Sequence, residues 1–244
     1  MARIFITGSA GGLGLNAARA LLQQGHEVVL HARDESRFTN SGAVRDQAVE
    51  TVVGDLADLT ETARVAERVE QFGPFDTVIH NAGVYSGNRI FAVNTVAPYI
   101  MTALMARPRR IVYISSGMHR SGTPDLQGID WTNAARRPAA YSDSKLYVTA
   151  LAAAVAERWP DVESNAVDPG WVPTRMGGRS APDDLELGHV TQVWLATRDA
   201  ADDHVSGGYW FHQQRREPHP AVKDKAFQTE LLDALERHTG FALR

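Results

Sequence analysis

The chain has 244 residues, 43% of them hydrophobic and 22% charged, with no cysteine. At roughly 100–200 residues per domain that length allows one large domain or two small ones, and the lack of cysteine excludes disulfides, thiolate metal sites, iron–sulfur clusters and cysteine nucleophiles. The 25 Lys and Arg against 29 Asp and Glu leave a net charge of −4, with no global attraction to nucleic acid or an anionic membrane, and no apolar stretch approaches the ~18 residues of a membrane span.

Short apolar runs alternate with helical stretches almost to the end. Arg3–Thr7 reads as a buried strand, short, β-rich and closed by Gly8. The run stops too early for a secretory leader, so a soluble cytoplasmic protein is expected. Leu13–Gln24 follows as a helix, with Leu13, Ala17, Ala20 and Leu21 on one face and Gly25 at its stop. Glu27–His31 and Ala48–Gly54 are the second and third strands, and Thr60–Phe72 is a helix with Ala63, Val65, Ala66 and Val69 inward. Asp76–His80, Arg110–Ser115 and Glu163–Val167 continue the strand series, Tyr141–Glu157 is an alanine-rich helix, and Gly207–Phe211 makes a seventh strand. Pro- and charge-rich His212–Lys225 introduces a last helix near Ala226–His238. Continuous apolar strands separated by helices predict a parallel sheet covered on both faces. The expected class is α/β: a single doubly wound domain over residues 1–244, with about seven parallel strands and residues 212–244 as a C-terminal tail.

Between the first strand and the first helix runs Thr7-Gly8-Ser9-Ala10-Gly11-Gly12-Leu13-Gly14. Glycine lets backbone turn sharply and approach a pyrophosphate, whose charge the helix N-terminus stabilises. The candidate contacts are Gly8, Ser9, Gly12, Leu13 and Gly14. The spacing Gly-x-x-x-Gly-x-Gly differs from the Gly-x-Gly-x-x-Gly of many dinucleotide binders. Asp55-Leu56 follows the third strand, Asn81-Ala82-Gly83 the fourth, Ser115-Ser116 closes the fifth, and Tyr141-Ser-Asp-Ser-Lys145 and Pro169-Gly170-Trp171-Val172-Pro173-Thr174 come after. Six motifs in this order, over roughly residues 3 to 211, resemble the short-chain dehydrogenase/reductase family, with its Rossmann fold, and within it a retinol-dehydrogenase-like or carbonyl-reductase-like member with a shortened loop after Asn81-Ala82-Gly83.

The resemblance implies a nicotinamide cofactor. Asp55 and Leu56 would flank its adenine, Asn81, Ala82 and Gly83 its central stretch, and Pro169, Gly170, Val172 and Thr174 the nicotinamide end. An acidic residue closing the second strand accepts hydrogen bonds from the ribose hydroxyls of NAD. Here Ala32 stands where NAD-preferring relatives tend to carry Asp, and Arg33 follows with a fork of donors suited to a 2′-phosphate. NADP(H) is therefore expected over NAD(H), while Asp34 keeps some NAD use open.

Tyr141 and Lys145, four apart, share one face of a helix. A phenol titrates near 10, too high for proton exchange at neutrality; a nearby ammonium and the positive nicotinamide ring would lower it. Tyr141 is then the general acid or base, and the resemblance gives Lys145 the nicotinamide ribose as well. The family pattern makes Ser116 the carbonyl-orienting residue and Ser115 a structural or cofactor-side one. It makes Asn94 the fourth member, whose backbone carbonyl holds a water linking Lys145 to solvent. Independently, the helical donor to that carbonyl would be residue 98, a proline without an N–H.

Tyr85, Met118, His119, Trp171 and Met176 stand on loops at the carboxyl ends of strands and are the candidate substrate contacts, suggesting an apolar pocket for a hydrophobic aldehyde, ketone or alcohol. Only 13 positions separate Asn81 from Asn94. Retinol-dehydrogenase-like relatives have a longer connection, so a more open site is expected. No metal cluster is expected, and the chemistry rests with the cofactor. The expected partners are small molecules, neither nucleic acid nor membrane. Family habit implies a homodimer or homotetramer; Ala-rich Ala150–Ala156 would permit one, and a core contact explains that run equally well. The readings are an NADPH-dependent oxidoreductase, a non-catalytic dinucleotide-binding sensor, and a lyase or epimerase, which the chain length disfavours.

Overall fold

The computed structural model describes residues 1–198 and 204–243, the side chain of Asn40 apart. The strands β1 (Arg3–Ile6), β2 (Glu27–Ala32), β3 (Glu50–Val53), β4 (Thr77–His80), β5 (Arg110–Ile114), β6 (Glu163–Asp168), β7 (Tyr209–Phe211) and β8 (Gln214–Arg216) form one sheet. Their order is β3-β2-β1-β4-β5-β6-β7-β8. β1 pairs in parallel with β2 on one side and β4 on the other. Winding reverses between them, which opens a crevice at the carboxyl ends of the strands.

Alternate residues of each strand serve opposite faces. Ile4 and Ile6 join Val28 and Leu30 under α1 (Gly12–Gln23) and α6 (Val190–Thr197), while Phe5 and Val29 pack beneath α3 (Leu59–Glu70) with Val65 and Val69. The short helix between β2 and β3 is α2 (Gly42–Gln47). Farther along the sheet, α4 (Ala97–Leu104) and α5 (Ala140–Arg158) bury Tyr99, Ile100, Tyr147 and Leu151 against Ile111 and Tyr113 of β5. Burial on both faces explains why these strands read as unbroken apolar runs. The inner face of α1 is Leu15, Ala17, Ala18 and Leu21, rotated from the expected set: Leu13 and Ala20 remain partly exposed. Among the described residues no helix is long and apolar enough to cross a membrane.

Among the described residues the sheet has eight strands, not seven, and the eighth is antiparallel to β7. His212 and Gln213 make the turn with φ of 48° and 60°, the left-handed pair that matches a hairpin's twist. Neither residue type signals such a turn, and exposed Gln-Arg-Arg carries no apolar alternation. Over its described residues, 212–243, the expected tail is also more than a trailing one. α7 (Lys225–Thr239) buries Phe227, Leu231 and Leu235 in the same cluster as Tyr147 and Leu151 of α5. The Asp224 side chain caps its start and Gly240, at φ 76°, ends it.

A π turn, Ala92–Val96, precedes α4, with the Ala97 N–H reaching the Ala92 carbonyl and Pro98 in the first turn of the helix. Pro98 withholds the ordinary fourth-residue donor from Asn94, and the helix widens just before it.

Candidate active site

The loop from Thr7 to Gly14 is fitted to the turn after β4. Gly8 and Gly12 are left-handed, with φ of 65° and 56°. A Cβ on Gly8 would stand 2.9 Å from the Ala82 Cα, and one on Gly14 would stand 2.4 Å from the Asn81 Nδ2 and 2.6 Å from the Gly8 carbonyl oxygen. Asn81 Nδ2 donates to the carbonyls of Thr7 and Gly8 at 2.9 and 3.2 Å, and the Ala82 N–H to the Thr7 hydroxyl at 2.9 Å. Asn81 and Ala82 thus brace the glycine loop. At Gly11, which precedes α1 and gives no side-chain cap, a Cβ would meet nothing within 4 Å. The space beside the start of α1 is therefore open, bordered by Thr174, whose Cγ2 lies 3.8 Å from a Cβ placed on Gly12. That cradle of bare backbone fits a pyrophosphate.

Two residues here hold the loop from within. The Ser9 hydroxyl is fully buried, donating to the Ile6 carbonyl and accepting from the His31 N–H, both at 2.9 Å. Its side chain faces the core, not a ligand. His31, which by sequence is simply a strand residue, accepts the Gly8 N–H on Nδ1 at 3.1 Å and pairs Nε2 with the Gly54 carbonyl at 3.0 Å. Burial brings its pKa down to about 4. The neutral ring can accept and donate as those two bonds require, an arrangement that a charged imidazolium would lose. A polar residue in an otherwise apolar strand is the signal that could have found it.

At the far end of β2, Ala32 is buried and Arg33 is exposed, its guanidinium 3.4 Å from Asp34. The Ser36 hydroxyl and then the flanking arginines hold the Asp34 carboxyl below its ordinary value. Asp55 accepts from Arg89 at 2.8 Å, and Leu56 belongs to the core beneath α3.

Ser116, Tyr141 and Lys145 meet where β5 ends. Ser115 faces inward, its hydroxyl 2.6 Å from that of Thr149 on α5. The Ser116 hydroxyl accepts the Met118 N–H at 3.2 Å and lies near enough to the Tyr141 phenol to favour its ionised form. The Lys145 ammonium donates to the Ile114 carbonyl at 2.8 Å and lies 5.7 Å from the Tyr141 ring centre. The expected depression of the phenol by Lys145 is not what this geometry gives. Burial pushes Tyr141 up, the Ser116 hydroxyl opposes this, and Asp168 and Tyr85 add to the rise. Burial brings Lys145 down to about 8 against the attraction of Asp168.

Asn94 is buried beside them. Its Oδ1 accepts the Val84 N–H at 2.8 Å, and its Nδ2 donates to the Val84 carbonyl at 2.9 Å and the Ser144 hydroxyl at 3.0 Å. Ser144 in turn donates to the Tyr141 carbonyl at 2.7 Å. A Cβ on Gly83 would lie 3.4 Å from the Asn94 Oδ1 and 3.5 Å from the Lys145 Nζ. The short connection from Asn81 thus ties directly to α5, and it sets the Tyr85 ring 4.7 Å from that of Tyr141.

The surrounding rim is apolar and open. Tyr85, Met118, Trp171 and Met176 are 52%, 43%, 56% and 47% exposed, large values for such side chains. In the loop after β6, Val172 is buried, the Trp171 indole donates to the Gly177 carbonyl at 2.8 Å, and the Thr174 hydroxyl accepts the Gly177 N–H at 3.2 Å. His119 departs from the expected rim. It is fully buried, with Nδ1 2.7 Å from the Ser116 carbonyl, Nε2 accepting the His219 N–H at 3.0 Å, and its ring 4.4 Å from that of Tyr209. Both nitrogens tie the Ser116 turn to the segment after β8, which removes His119 from the substrate contacts.

A family model described as short chain dehydrogenase matches residues 2–185. An uncharacterized oxidoreductase of Emericella nidulans is 37% identical, with 98% of each chain covered. The short-chain dehydrogenase chyC of Penicillium rubens is also 37% identical, over 100% of this chain and 99% of that one. Among solved structures, an uncharacterized protein of Mycobacterium paratuberculosis superposes with a TM-score of 0.80 at 22% identity, covering 100% of this chain and 95% of that one.

Proposed function

The chain belongs to the short chain dehydrogenase family, oxidoreductases of CH–OH and C=O groups, and from that premise we propose an NADPH-preferring reductase of hydrophobic aldehydes or ketones. The observation that carries this reading is the Ser116–Tyr141 hydroxyl pair, set at the carboxyl end of the sheet where the rim is apolar. The glycine cradle, Thr174 and the turn Asn81–Gly83 would hold the dinucleotide, with Arg33 at the adenosine ribose. When bound, the nicotinamide supplies the hydride that reduces the carbonyl carbon.

This chain's own residues then handle the proton. Ser116 donates a hydrogen bond that orients the carbonyl oxygen, and Tyr141 delivers its phenolic proton to that oxygen as charge develops there. A phenol raised by burial stays protonated through neutral pH, the form a proton donor needs. Lys145, whose pKa of about 8 lies near neutrality, can return a proton to the phenolate. The Asn94 carbonyl, without a donor from Pro98, is the acceptor for the water that connects Lys145 to solvent.

The test is NADPH oxidation measured against a panel of aldehydes, ketones and quinones. Turnover is expected with apolar carbonyl compounds, and NADPH binding with no turnover across the panel would move the reading to a dinucleotide sensor. Cofactor choice has its own test. Charge-assisted hydrogen bonds contribute about 1.5–3 kcal/mol, so Arg33→Ala should lower the ratio of kcat/KM for NADPH over NADH by about tenfold or more. An unchanged ratio would remove Arg33 from phosphate recognition.

A further inference from the structure

β6 ends in Asp168, a carboxylate on the site's side of the sheet that the proton transfer described above does not use. Tyr209, buried on β7, donates its hydroxyl to the Asp168 Oδ2 at 2.9 Å, and the Gly170 N–H reaches Oδ1 at 3.0 Å. A Cβ on Gly117, the residue after Ser116, would stand 3.1 Å from Oδ2. The carboxylate thus lies against the backbone that carries Ser116, with no side chain at 117 between them.

We propose that Asp168 is a positioning residue for the proton transfer, its fixed negative charge keeping Tyr141 as phenol and Lys145 as ammonium, so that the proton-donating form of the site persists to higher pH. This rests on the reading of Tyr141 as proton donor. The other groups around Tyr141 leave Asp168 as the anion that matters. Lys145 on the same helix is bonded to Ile114, Tyr85 is a neutral ring, and His119 is kept neutral by burial with both nitrogens engaged. Behind Asp168, Tyr209 is pushed further up by burial and by Asp168 itself, and exposed Arg120 lies 5.5 Å from its ring. The burial-driven rise of Tyr141 and the opposing fall of Lys145 both carry an upward contribution from Asp168.

Reduction needs the phenol and falls as pH rises through its pKa; oxidation of the alcohol needs the phenolate and rises through the same pKa. Removing the anion lowers that pKa. In Asp168→Asn, both midpoints should move to lower pH together, by about one pH unit, while Asp168→Glu, which keeps the charge, should stay near the wild-type positions. Should Asp168→Asn not fold, Asp168→Ser also lacks the charge and carries the same expected shift. The measurement is kcat/KM against pH in both directions. Midpoints that stay fixed beneath a uniform loss of rate, or Glu shifting as far as Asn, would overturn the proposal. Tyr141→Phe run alongside separates the two readings. If it keeps turnover, the proton-donor assignment fails; if it loses turnover while the Asn midpoints stay fixed, only the role of Asp168 fails.

Discussion

Replacing Tyr141 by Phe is expected to lower kcat/KM by about a hundred- to ten-thousand-fold, the range lost when a positioned general acid is removed, with NADPH binding unchanged. The substitution is narrow. Phe keeps the ring that packs 4.7 Å from Tyr85, keeps α5, and leaves the Lys145–Ile114 bond in place. What goes is the hydroxyl beside Ser116 and, with it, the proton positioned for the nascent alkoxide. Uniform loss of binding would raise KM alone, whereas loss of a group acting in the transition state lowers kcat and kcat/KM together. Steady-state kinetics beside a direct NADPH titration distinguishes these. A sensor built on this fold would turn over with neither protein, whereas wild-type turnover in Tyr141→Phe would end the reading of Tyr141 as proton donor.

The sequence carries this site because its chemistry is local. Tyr141 and Lys145 are four residues apart on one helix, and the glycine loop is contiguous between β1 and α1. Most of the parallel strands are legible because both their faces are buried. What escapes is non-local. β8 is an exposed polar run whose pairing comes from the left-handed turn at His212 and Gln213. His31 reads as a strand residue until Gly8 and Gly54 are brought against its two nitrogens. Asp168 falls just past the expected end of its strand at Val167, and its meaning comes from Tyr209, 41 positions away in sequence. His119 is the opposite case, a site candidate that the fold withdraws. One residue beyond exposed Met118, it would be wet if the turn stood alone. The segment after β8 covers it, and no local pattern predicts that covering.

Replacing Glu163 by Ala is expected to cost about 3–5 kcal/mol of stability, the loss that follows when one partner of a buried ion pair is removed. Glu163 opens β6 and lies opposite Arg110 in the β5–β6 ladder. Its Oε2 accepts from the Arg110 Nε at 2.8 Å and its Oε1 from the Arg198 Nη1 at 3.0 Å, with all three side chains buried. Arg110 also donates to the Arg198 carbonyl at 2.9 Å, which draws the end of α6 onto the sheet. Without the carboxylate, the buried Arg110 guanidinium would lose the anion it is bonded to, and breaking a buried pair from one side is what makes such a change expensive. Glu163→Gln keeps acceptor geometry at one atom and loses the charge, so it should fall between wild type and Ala. For a chain of this size about 1 kcal/mol corresponds to roughly 2–4 °C, so the Ala variant should melt on the order of 10 °C lower. β6 begins at Glu163 and ends at Asp168, so the damage lies at the opposite end of the strand from Tyr141 and Ser116. The folded fraction should therefore keep its kcat at low temperature, the reverse of Tyr141→Phe, which should lose turnover and keep its melting point. A Glu163→Ala protein that melts with wild type would overturn the ion-pair account of this corner.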